Sequence, residues 1–139
     1  MKKFLLKDKY PVYAETIAKS ETDFKCVDDI VSYYKKLIDA HPITSFIAIF
    51  DNYAHTANLK EHVIAANIKD AKNIIYCYGK SLDKVEVTGI RPRSFGIVDT
   101  GKDFVISFLE APDPNANNDM IEWTKAIKLQ GIQNQAYSI

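Results

Sequence analysis

The sequence predicts an α+β fold, a mostly antiparallel sheet with helices packed on one face. Three observations carry this. The stretch "RSFGIVDTGKDFVISFLE" reads as two alternating strands joined by a glycine turn. Phe24, Val27, Val31, Tyr34 and Ile38 recur at helical spacing. A second helical pattern, Met120, Trp123 and Ile127, follows Asp113-Pro114, an N-cap residue and a first-turn proline.

The elements fall in the following order. Val12 to Ala18 alternates, with Tyr13, Glu15 and Ile17 opposing Val12, Ala14, Thr16 and Ala18, and predicts a strand. Ser20 with Asp23, or Thr22 alone, can cap the first helix, expected from about Thr22 to Ala40, where Pro42 bars continuation. Ser45 to Asp51 is a short apolar run and predicts a buried strand. Residues 54–72 are ambiguous: Leu59, Val63 and Ala66 could form a weak helical face, and Asn58, Asn67 and Asn73 favour a partly irregular connection. Ile74 to Gly79 predicts another strand, and Val85 and Val87 a short alternating piece. The hairpin strands run from about Arg93 to Asp99 and from Phe104 to Glu110, with Gly101 where the turn needs a positive φ. Phe95 and Ile97, and Phe104, Ile106 and Phe108, line one buried face. The last helix is expected from about Pro114 to Gln130, ended by Gly131, with the tail either frayed or pinned by Tyr137.

A chain of 139 residues has the size of one domain, and 47% hydrophobic residues suffice for a core. With 18 basic and 18 acidic residues the net charge is zero, which argues against a nucleic-acid partner. The start "MKKFLLKDKYP" is too short in apolar residues for a signal peptide, and no stretch has the length of a membrane span. A cytoplasmic protein is expected, with Cys26 and Cys77 as free thiols in no metal spacing.

No P-loop, G-x-G-x-x-G, H-E-x-x-H or G-x-S-x-G occurs. His55 and His62 are seven apart, which matches no established metal spacing, and His41 beside Pro42 suits a helix terminus. No metal site and no cofactor are expected. The best signal is "RPRSFG". Pro92 biases Arg91 toward an extended shape, and residues two apart on an extended chain point the same way. Arg91 and Arg93 can then present two guanidinium forks side by side to a carboxylate or phosphate. Alternatively the two pair with Glu86, Asp99 or Glu110 and stabilise the end of the sheet.

The segments "DAKNIIYCYG", "RPRSFGIV" and "FVISFLEAPDPNAN", in this order, resemble a family of small uncharacterised bacterial proteins. The likeness covers roughly residues 68–127. It implies a bacterial source and a stand-alone domain, and it brings no activity, ligand or site residue.

Two function classes stand. One is a non-enzymatic domain that binds a small anionic ligand or a protein partner. The other is an enzyme whose site is assembled from Tyr, His, Cys or carboxylate groups. A concave site of converging polar side chains separates them from a flat apolar patch. The aromatic content, with Tyr33-Tyr34 placing one ring off the core side of the first helix, points to a homodimer.

Overall fold

Six strands and three helices build the chain in the computed structural model, which describes the backbone of residues 1–137 and the side chains of residues 1–128. In chain order they are β1 (Lys2–Leu6), β2 (Tyr10–Ala18), α1 (Val27–Ala40), β3 (Thr44–Phe50), α2 (Asn52–Ala57), β4 (Asp70–Tyr78), β5 (Arg93–Asp99), β6 (Asp103–Leu109) and α3 (Pro114–Tyr137). The sheet order is β1-β2-β6-β5-β4-β3, and every neighbouring pair is antiparallel. The α+β class therefore holds, with α1 and α3 on one face.

Alternation decides which side chains meet those helices. Ile17, Ile74, Phe95, Ile97, Phe104 and Ile106 point to the helical face and are fully buried. Ile30, Tyr34 and Ile38 of α1 and Met120 and Ile127 of α3 close over them. Tyr34 stacks on Phe95 with ring centroids 4.0 Å apart. The Thr124 hydroxyl donates to the Met120 carbonyl (2.8 Å), so it accepts from Tyr34 Oη at 2.7 Å. Tyr33 is buried as well, and its hydroxyl donates to the Trp123 carbonyl at 2.6 Å. Both rings of the Tyr33-Tyr34 pair are therefore buried against the helical layer.

The opposite face carries Val12, Ala14, Ser94, Gly96 and Ser107, and the short α2 packs against β4. Asp51 caps α2 by accepting from the Ala54 N–H at 2.9 Å. Beyond Ala57 the chain is irregular up to β4; Leu59 and Val63 are exposed, so the weak helical face does not form.

Several boundaries differ from the sequence reading. β1 was not foreseen. It is joined to β2 through Lys7 and Asp8, both with positive φ (53° and 59°), and neither is the glycine or asparagine that marks such a turn. The α1 helix starts at Val27, with Cys26 at its N-cap. Thr22 instead donates its hydroxyl to the Ile127 carbonyl at 3.3 Å, tying α3 to this loop. Val85 and Val87 lie in a 3-10 turn, not an alternating piece. Gly131 does not end α3, whose backbone continues to Tyr137. The expected pinning by the Tyr137 side chain lies outside the described residues. Asp113 and Pro114 open the helix as expected, with the Asn115 N–H donating to Asp113 Oδ1 at 2.9 Å. Gly101 has the expected positive φ.

Phe95 is the ring on which Tyr34, Tyr76 and Phe108 converge. Phe95→Ala is expected to cost about 3–5 kcal/mol in urea denaturation. Leu82→Ala, at an exposed position, should change stability by no more than about 0.5 kcal/mol.

Candidate functional site

The β5–β6 ladder pairs Asp99↔Phe104, Val98↔Val105, Ile97↔Ile106 and Gly96↔Ser107, and it stops there. Yet β5 stays on β4 as far as Tyr76↔Arg93, and β6 stays on β2 as far as Val12↔Leu109. The two central strands diverge at one end. The parity of the ladder identifies the missing rung. Glu110 N–H donates to Pro11 C=O toward β2, and Thr100 N–H donates to Asp103 C=O across the β5–β6 turn. Ser107 and Leu109 therefore turn their amides toward β5, and Gly96 and Ser94 turn theirs toward β6. The rung after Gly96–Ser107 is Ser94–Leu109, and it is not made. The guanidinium of Arg93 takes its place, with Nη2 donating to the Leu109 carbonyl.

Arg93 retains 9% exposure. Its Nε is buried without a hydrogen-bond partner. Neither arginine forms an ion pair among the described residues. Asp99 pairs with Lys19 at 2.9 Å, and Glu110 pairs with Lys3 at 2.6 Å and accepts from Tyr13 at 3.2 Å. The counter-ions that the sequence offered are therefore taken or, in Glu86, unused. Burial pushes the Arg93 pKa down, and the neighbouring Tyr76 hydroxyl works against this. Tyr76 Oη is itself buried without a partner; burial pushes its pKa up, and Arg93 opposes the shift.

Where the strands part there is a cleft of about 350 Å³, lined by Arg93, Ser94, Asn73, Ser107, Leu6 and Leu109 among others, and by no acidic residue. Asn52 Nδ2 donates to Asn73 Oδ1 (3.0 Å), and Asn73 Nδ2 donates to Ser94 Oγ (3.0 Å). Ser94 Oγ is thus an acceptor on one side and keeps its own proton to donate.

Arg91 goes elsewhere. Its Nη1 donates to the Ser81 carbonyl at 2.8 Å, and its head lies on the backbone of Gly79, beyond the end of β4. It lines a second cleft, of about 500 Å³. Pro92 is common to both clefts. The two forks diverge from this proline, one over β4 and the other toward β6, so they do not form a single side-by-side clamp.

The remaining candidates are placed as follows. His55 is exposed, its ring 5.3 Å from Phe50, and His62 is exposed with Nδ1 at 2.9 Å from the Leu59 carbonyl. No group of three His, Cys, Asp or Glu side chains able to hold a metal occurs among the described residues. Cys26 is exposed and Cys77 half-buried, both free. His41 does cap α1, and spacing gave no hint of what it meets. Its Nδ1 accepts from the Ile43 N–H (3.2 Å), which leaves Nε2 to donate to Asp119 (3.0 Å). Tyr78 Oη donates to the same carboxylate oxygen at 2.5 Å. This trio ties α3 to the ends of α1 and β4, and it lines neither cleft. No helix among the described residues is long and apolar enough to cross a membrane.

The model of a family of unknown function, DUF6858, matches residues 1–129. The chain belongs to this family. The match extends well beyond the C-terminal half that carried the resemblance seen in the sequence, and it takes in both clefts. No curated protein and no solved structure matches the chain.

Gly79 has φ +136°, and a Cβ there would stand 2.0 Å from Arg91 Nη2. Gly79→Ala is expected to destabilise by roughly 1–3 kcal/mol from backbone strain, plus the clash. In a double-mutant cycle with Arg91→Ala, the clash part should vanish and the backbone part persist. Strictly additive effects on urea unfolding would show that Arg91 does not rest on this glycine.

Proposed function

We propose that this family member is a non-enzymatic binding module for a small oxyanion or carboxylate, held by Arg93 at the split between β5 and β6. One observation carries the reading: an arginine nine-tenths buried with no counter-ion among the described residues. A buried charge is costly unless it is paired and hydrogen-bonded. An anion in the cleft supplies both. The lining suits it: Arg93 borders the cleft, as do Ser94 and Ser107 with their hydroxyls, and the Ser94 and Leu109 N–H groups are released from the ladder. The cleft offers no carboxylate to compete. Arg fits a planar or tetrahedral oxyanion through two parallel bonds, which Lys cannot make.

The reading is tested by unfolding the protein in phosphate, sulfate or acetate against chloride at matched ionic strength. An anion at one hundred times its Kd should stabilise by about 2.7 kcal/mol. Arg93→Lys should keep the fold and weaken the response, and Arg93→Met should abolish it. Equal stabilisation by chloride, or an undiminished response in Arg93→Met, would overturn the proposal.

A further inference from the structure

The second cleft differs in chemistry from the first. Its floor and walls are apolar, formed by Ile47, Leu82 and Pro92 with the Cys77 side chain. Its charged lining is Lys80 and Arg91, and no acidic residue lines it. The Arg91 head has two supports: Nη1 donates to the Ser81 carbonyl, and the guanidinium occupies the space a Cβ of Gly79 would fill. A fixed cation at the mouth of an apolar hollow of about 500 Å³ has the size and the polarity of a site for a small organic molecule.

From this we infer that the Arg91 cleft binds a free amphiphilic carboxylate, with its alkyl or aryl body against Ile47, Leu82 and Pro92 and its carboxylate on Arg91 and Lys80. Two cations without an acid select the negative head. The apolar wall selects a body that phosphate, sulfate and acetate lack. The site is therefore distinct from the polar cleft of Arg93, and it does not rest on the reading of that cleft.

Cys77 lies in the wall and reports occupancy. Cys26, the other thiol, is exposed at the N-cap of α1, where serine is a favoured residue, so Cys26→Ser leaves Cys77 as the single thiol. The experiment measures the rate at which Cys77 in this variant reacts with N-ethylmaleimide, a neutral reagent. Octanoate at ten times its Kd should slow the reaction about tenfold, because only the empty fraction reacts. Octanol, of the same length without the charge, and inorganic phosphate should leave the rate nearly unchanged. Arg91→Ala should remove the protection by octanoate, and Arg93→Lys should retain it even though its phosphate response is weakened. Circular dichroism checks that each variant is folded, and Lys80→Ala, on an exposed side chain, serves if Arg91→Ala is not; it should weaken the protection. No protection by octanoate, protection by octanol equal to that by octanoate, or full protection in folded Arg91→Ala would overturn the inference.

Discussion

A guanidinium stands where a backbone rung belongs. The Leu109 carbonyl, which should accept from the Ser94 amide, accepts from Arg93 instead, and the two middle strands of the sheet separate. The substitution costs a ladder bond and buries a charge, and nothing within the described chain neutralises that charge. An ordinary hydrogen bond contributes about 1 kcal/mol net to stability, while an uncompensated buried charge costs several. Arg93 is thus a poor device for stability alone. This imbalance is the ground for the anion proposed above.

The rest of the fold keeps that arrangement in place. Phe95, two residues along β5, is locked by four rings on the helical face, those of Tyr34, Tyr76, Phe108 and Trp123. Tyr76, paired with Arg93 across β4–β5, stacks on Phe95 as well, so the β5 side of the split has little freedom. On the open face, the chain of amides from Asn52 through Asn73 sets the Ser94 hydroxyl. At the same end of the sheet, Asp119 gathers His41 and Tyr78 and fixes the start of α3. Pro92 then sends its two arginines to different clefts, one polar and one apolar.

Much of this architecture was legible in the sequence, and the reasons are physical. The hairpin announced itself because alternation and a glycine turn agree, and the core stripe of α1 because its spacing is regular. β1 stayed hidden because Lys7 adopts positive φ without being a residue that signals it and no glycine follows Asp8, and because all five strand residues are exposed and show no buried face. Thr22 looked like a cap and serves a long-range bond to Ile127. Residues 54–72 carry too few buried side chains for any periodicity to show. For the candidate site, the shared direction of the two forks in "RPR" was the step that failed, since each guanidinium follows its own carbonyl. One further signal was available. Both arginines of the chain lie in that tripeptide, while the other sixteen basic residues are lysines. A chain that uses lysine everywhere else and arginine only here marks a position that needs a rigid fork more than a charge.

The central claim is that Arg93 replaces the Ser94–Leu109 rung, and amide hydrogen exchange followed by NMR tests it residue by residue. In the free protein the Ser94 and Leu109 amides should exchange orders of magnitude faster than those of Gly96 and Ser107, although all four lie in central strands. Phe95 and Phe108, whose amides face β4 and β2, should remain slow. Phosphate should slow Ser94 and Leu109 selectively. If those two amides are already as protected as Gly96 and Ser107 without any anion, the sheet is closed there and the account is contradicted.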